Sequence, residues 1–120
     1  MGALSHIRVL DLSRVLAGPW CAQNWADLGA HVIKVERPGA GDDTRHWGPP
    51  FAKDPSGQDT TESAYYISIN RNKKSIVLDY SKPEDRALAV ELGRRADIAL
   101  ENMKPGGMKK FGLDYESLAA

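Results

Sequence analysis

Disulfides are excluded at the outset, because the 120 residues hold a single cysteine, Cys21; a lone thiol suits a reducing compartment. Excess charge is also lacking: 16 Lys and Arg offset 16 Asp and Glu. That balance argues against bulk binding of nucleic acid or of an anionic membrane, though not against a local basic pocket. No apolar run approaches the roughly 20 residues of a membrane span. Residues 1–12 show no charged segment leading into a long apolar stretch, so a signal peptide is not expected either, and the chain reads as cytoplasmic. Chemical motifs are scarce. His6, His31 and His46 lack metal-ligand spacing, and Cys21 falls in an apolar helical segment. Neither a Gly-x-Ser-x-Gly elbow nor a Gly-Lys-Ser/Thr phosphate loop occurs, so no metal site and no catalytic residue is assigned.

What the chain does have is alternation of strand and helix within one small domain, residues 1–120, too short for two cores. Residues 7–12 alternate apolar side chains and predict a strand. Ala17-Gly18-Pro19 breaks it, with Pro19 placed to open a helix over 20–28 that Gly29 stops. Residues 31–35 predict a second strand, parallel to the first through a βαβ connection. The glycine- and proline-rich stretch 37–59 predicts an extended loop with no regular element, followed by a short helix over about 61–69. Residues 75–79 predict a third strand. Ser81-Lys82-Pro83-Glu84 matches a capping box, opening a helix that should bury Leu88, Leu92 and Ala96. Residues 98–100 predict a fourth strand, and Asp114 suits the N-cap of a last helix. The expected fold is α/β with a mostly parallel sheet. Such sheets bind ligands beyond the carboxyl ends of their strands, here 12–17, 36–37, 79–81 and 101–104.

The residues at those ends keep several readings open. Arg14 precedes a helix N-terminus and serves either as a solvated loop arginine or as a phosphate contact. Glu36 stands where dinucleotide enzymes bind a ribose, but the glycine fingerprint that should precede it is missing. Arg37 fits a cation facing phosphate or adenine, or a plain surface residue. The basic clusters Asn70-Arg71-Asn72-Lys73-Lys74 and Lys104, Lys109, Lys110 are either solvated faces or the cations that a phosphorylated ligand needs.

Taken together, the motifs resemble those of the class III CoA-transferases, the CaiB/BaiF type. Carrying the resemblance are Val9-Leu10-Asp11-Leu12-Ser13-Arg14-Val15-Leu16-Ala17-Gly18-Pro19, then Ala26-Asp27-Leu28-Gly29-Ala30 and Val32-Ile33-Lys34-Val35-Glu36. Gly41-Asp42-Asp43-Thr44-Arg45, Trp47-Gly48-Pro49-Pro50 and Asn70-Arg71-Asn72-Lys73-Lys74-Ser75-Ile76 follow in family order. Glu101-Asn102, Pro105-Gly106 and Phe111-Gly112-Leu113-Asp114-Tyr115 complete the series. The stretch 35–76 is most similar to members acting on dicarboxylates such as succinate, glutarate and hydroxymethylglutarate.

The resemblance implies a Rossmann-like fold, with residues 1–120 as the first part of the large domain of an interlocked homodimer. It implies coenzyme A or acyl-CoA as substrate, with no tightly bound cofactor, and a carboxylic acid as the second substrate. By position, the coenzyme contacts carry over to Leu16, Ala17, Arg37, Leu78, Asp79, Tyr80, Ser81, Asn102, Met103, Lys104 and Lys110. Met103 stands where the family commonly has an aromatic, and Lys110 where relatives often carry arginine; lysine keeps the charge and loses the bidentate fork. The implied reaction runs through an aspartyl mixed anhydride and an enzyme–CoA thioester, and the family's aspartate lies beyond residue 120. The chain alone is therefore expected to be inactive. The alternative is a free-standing, non-catalytic module that binds CoA or a nucleotide.

Overall fold

The computed structural model describes all residues from Met1 to Ala120. Four parallel strands form the main sheet: β1 (Arg8–Asp11), β2 (His31–Glu36), β5 (Lys74–Val77) and β6 (Ile98–Leu100), in the order β5-β2-β1-β6. With α1 (Ala17–Asp27) and α3 (Pro83–Arg95) as connections, this is the strand order of a Rossmann-like half-sheet, reversing direction of travel between β1 and β6. The expected α/β class and parallel pairing hold.

The core follows from side-chain alternation along β1 and β2. Val9 and Val32 pack with Ala22, Ala26 and Ala30 on the α1 side. Leu10, Leu12 and Val35 point the other way, onto Ala89 of α3 and onto Met108 and Leu113. Strands covered on both faces should be apolar at nearly every position. Asp11, Lys34 and Glu36, all buried, break that rule on the α1 side, and they matter below.

Several local expectations are corrected. Helix α1 begins at Ala17, not Pro19, with Trp20 N–H donating to the Leu16 carbonyl. Pro19 is tolerated there because none of the first-turn N–H groups has an intrahelical partner. The stretch 37–59 is not featureless. It holds a 3-10 turn, Asp43–His46, and a hairpin of β3 (Phe51–Lys53) with β4 (Asp59–Ser63). Of its turn signals, Pro55-Ser56-Gly57 forms the hairpin's own turn, where the Asp54 carboxylate accepts from the Ser56 and Gln58 N–H groups. Residues 61–63 are therefore strand, and α2 (Ala64–Asn70) starts only after Ser63, whose hydroxyl accepts from Tyr66 N–H.

The capping box does not form. Lys82 is the N-cap of α3 without a side-chain bond, and Ser81 instead donates to Asp79. Pro83 at the first helical position supplies the pre-set backbone angle. The buried face of α3 is also shifted: Ala89 and Gly93 face inward, Leu92 and Ala96 are half-buried, and Leu88 is 48% exposed. The small residues allow the close approach, since a Cβ at Gly93 would meet Leu118 Cδ2 at 2.7 Å. Helix α4 (Tyr115–Ala119) has Asp114 at its N-cap position, but the carboxylate makes no capping bond there. No helix is long and apolar enough to cross a membrane.

Candidate functional site

The loop 13–15 after β1 makes few backbone bonds of its own, and side chains from β1 and three other segments supply its partners. Asp11 accepts from Ser13 N–H at 3.0 Å, and Lys34 of β2 donates to the Ser13 carbonyl at 3.0 Å. Asn102, just after β6, accepts from Arg14 N–H at 2.9 Å and donates to the Arg14 carbonyl at 2.7 Å. Asp42 accepts from Val15 N–H at 3.4 Å. Val15 sits at φ +70°, a left-handed conformation that costs a β-branched residue energy and persists only where its surroundings impose it.

Behind the loop lies a layer of buried charge. Lys34 and Asp42 pair at 2.9 Å with both side chains 1% exposed. Lys73 reaches Asp11 at 2.8 Å, the Pro19 carbonyl at 2.8 Å and Asn70 Oδ1 at 2.9 Å. Glu36 receives two bonds from Arg45 at 2.7 Å, one from Tyr66 at 3.0 Å, one from Asp42 N–H at 2.8 Å and one from Ser75. Charges this deep are tolerable only when paired and hydrogen-bonded.

Burial alone would raise the Glu36 pKa, but the Arg45, Ser75 and Asp42 donors outweigh it and hold it at about 2. Burial likewise opposes the lowering of Asp42, which Lys34 and Thr44 bring about. For Lys73 burial dominates and pulls the ammonium below its ordinary range, against the pull of Asp11. Gly41 closes the layer: at φ +66° a Cβ there would stand 2.9 Å from both Arg45 Cδ and Glu36 Oε1.

In front of the loop, the strand ends surround a cleft of about 410 Å³. Arg37, Leu78, Asp79, Tyr80, Met103, Lys104 and Lys110, of the residues expected at a coenzyme site, line it together. Leu16, Ala17, Ser81 and Asn102 do not. Leu16 and Ala17 are exposed at the start of α1, Ser81 bonds to Asp79, and the Asn102 amide is taken up by the Arg14 backbone. Arg14, Leu12, Val35, Met108 and Phe111 also line it, and Glu36 and Asp42 of the charged layer form part of its back wall.

The wall is chemically mixed. Tyr80 and Phe111 pack at 5.2 Å between ring centroids, and burial pushes the Tyr80 hydroxyl up to about 12. Lys110 lies over the Phe111 ring at 4.8 Å. Arg37 pairs with Asp43, and Ser81 holds the Asp79 carboxyl below its usual range. Flexible cations beside aromatic and thioether surface suit a ligand with phosphates and a flat apolar group.

Two sequence readings change. The cluster 70–74 does not face the cleft: Lys73 is buried on Asp11, while Arg71 and Asn72 bind Asp27. Glu36 is fully engaged by its donors and is not free to bind a ribose. The charged layer itself was hidden from a residue-by-residue reading. Its signal is the presence of Asp11, Lys34 and Glu36 in strands whose neighbours are uniformly apolar.

Comparison with known proteins places these features. The family model described as CoA-transferase family III matches residues 4–120. The chain is 56% identical over 115 residues to a succinate–glutarate CoA-transferase of Agrobacterium fabrum, covering 96% of this chain and 28% of that protein. It is 51% identical over 115 residues to the human succinyl-CoA:glutarate CoA-transferase, covering 96% of this chain and 25% of that one. The crystal structure of a CaiB/BaiF family protein from Brucella suis superposes with a TM-score of 0.88 at 50% identity, over 98% of this chain and 30% of the other. The chain thus spans between a quarter and a third of these relatives' length.

Proposed function

Since the chain belongs to CoA-transferase family III, we propose that it forms the coenzyme-binding part of an enzyme moving CoA from an acyl-CoA donor to a dicarboxylic acid. The carrying observation is the cleft, where four strand ends bring Arg37, Lys104 and Lys110 together with Tyr80, Met103 and Phe111. In this reading the basic side chains bind the coenzyme's phosphates as charge-assisted donors. Met103 and the aromatic pair pack against its adenine, a thioether serving in place of an aromatic ring. The acid class is supported by the names of the relatives, which act on succinate, glutarate and mesaconate.

The reaction is covalent catalysis in balanced steps. An enzyme aspartate attacks the thioester carbonyl, the C–S bond breaks, and CoA thiolate leaves a mixed anhydride. The thiolate then attacks the aspartyl carbon, releasing the donor acid and forming an enzyme–CoA thioester. The acceptor carboxylate displaces the thiolate from that carbon, and the thiolate takes the acceptor acyl group, restoring the aspartate. Asp11, Glu36 and Asp42 are held by Lys73, Arg45 and Lys34, which leaves them poor nucleophiles. The attacking aspartate belongs to sequence outside these 120 residues, in a protein that acts as a homodimer. The role of this chain is to bind and orient the coenzyme.

The test is to supply the full-length protein with succinyl-CoA and glutarate and to quantify products by mass spectrometry. Transfer predicts glutaryl-CoA and succinate in equal amounts without net free CoA. Release of free CoA alone, or CoA binding without exchange, overturns the transferase reading.

A further inference from the structure

The cleft contains two guanidinium groups, and their situations differ. Arg37 is neutralised by Asp43. Arg14 is exposed and has no carboxylate partner; its one side-chain bond runs from a guanidinium nitrogen to the Met103 sulfur at 3.1 Å. The N–H bonds of a guanidinium lie in its plane, so an acceptor on one nitrogen stands at the edge and leaves the flat faces open. No ring of the chain closes them, since the cations that lie over rings are Arg45 and Lys110.

The backbone beneath this side chain is held from several directions. Asn102 accepts from the Arg14 N–H and donates to the Arg14 carbonyl, while Lys34 and Asp42 fix the residues on either side. Val15 follows in its left-handed conformation. Strain of this kind persists only where the surroundings over-determine it, and it clusters at ligand sites.

We infer that Arg14 is a coenzyme-binding residue that works through its plane: with Met103 it forms the surface on which the adenine packs. The inference rests on the coenzyme reading above and adds a residue to that same site. Arg14 touches the thioether part of the wall, which that reading gives to the adenine, and Lys104 and Lys110 remain as flexible charges for the phosphates. A guanidinium is flat and weakly hydrated and stacks on aromatic faces, which an ammonium does not. Asn102 is then a positioning residue that acts through the Arg14 backbone, which accounts for its place at a strand end without lining the cleft.

The experiment is calorimetry of the full-length protein with CoA and with dephospho-CoA, which keeps the adenine and lacks the ribose phosphate. Arg14→Gln should weaken both ligands by the same factor, roughly 5- to 20-fold. Arg14→Tyr, a plane without the charge, should recover part of the loss, and Arg14→Lys, the charge without a plane, should recover less. Asn102→Ala should weaken CoA in the wild-type background and add little in Arg14→Gln, a coupling that general loosening of the fold would not produce.

An unchanged affinity in Arg14→Gln overturns the inference. So does a loss confined to CoA, or an Arg14→Tyr variant no better than Arg14→Lys, since either result makes Arg14 a phosphate contact. Equal losses from Asn102→Ala in both backgrounds overturn the positioning role. If the wild type binds neither ligand, the coenzyme reading itself fails and the inference falls with it.

Discussion

Replacing either member of the Lys34–Asp42 pair should cost far more than a surface ion pair. Both side chains are 1% exposed and the charges lie 2.9 Å apart. Asp42→Asn keeps an oxygen for the Thr44 and Val15 donors but strands the Lys34 ammonium without its counter-charge. Lys34→Met removes the donor to the Ser13 carbonyl and strands the Asp42 carboxylate. Breaking one side of a buried pair typically costs about 3–5 kcal/mol, because the survivor keeps its desolvation penalty. Each single variant should therefore lose about that much. The double variant, with neither charge left buried, should lose less than the sum by about 2 kcal/mol or more. Urea unfolding followed by tryptophan fluorescence supplies the four stabilities, provided the slope with urea is shared. Additive losses, or single costs under about 1 kcal/mol, would refute the claim that this pair anchors the loop. The Val15 amide should also exchange faster in Asp42→Asn, whose side chain no longer has Lys34 to orient it.

Three further outcomes follow from the same geometry. Glu36 is held at about 2 against an ordinary 4.5, so its contribution is fully present above pH 4.5 and is lost as pH falls toward 2; the difference corresponds to about 3 kcal/mol, and Glu36→Gln should flatten that part of the stability–pH curve. Gly41→Ala, whose Cβ would press on Arg45 and Glu36, should destabilise by about 2 kcal/mol or more, whereas Gly39→Ala, with φ +75° and open space, should lose only about 1 kcal/mol; thermal melts of the two separate crowding from backbone strain. Lys110→Ala should weaken CoA binding roughly 5- to 10-fold and reduce its salt dependence, measured by calorimetry at two ionic strengths.

The parallel sheet is legible in the sequence because β1 and β2 carry apolar side chains on both faces between clear breaks. The carboxyl ends follow from that alone, and they locate the cleft. The β3–β4 hairpin is not legible in the same way, since β4 is Asp59–Ser63, polar throughout, and offers no hydrophobic period. The face of α3 misleads because leucine usually marks the buried stripe, whereas here Ala89 and Gly93 are the buried positions, and Gly93 admits Leu118 of α4. The buried ion pairs are hidden for a different reason: Lys73 and Asp11 stand 62 residues apart, and only the fold makes them neighbours. The same holds for Asn102, which looks from its position like a ligand contact and spends its side-chain amide on a loop 88 residues earlier.

The most direct measurement is amide hydrogen exchange of the full-length protein with and without CoA. Protection at residues 12–17, 37–42, 78–81 and 102–111, the carboxyl ends of the four parallel strands, is the predicted result. A second hollow lies at the opposite, amino ends, between Arg8, Ala30, Ile33 and Leu92. Protection there, or none at all at saturating CoA, contradicts a coenzyme site in the cleft.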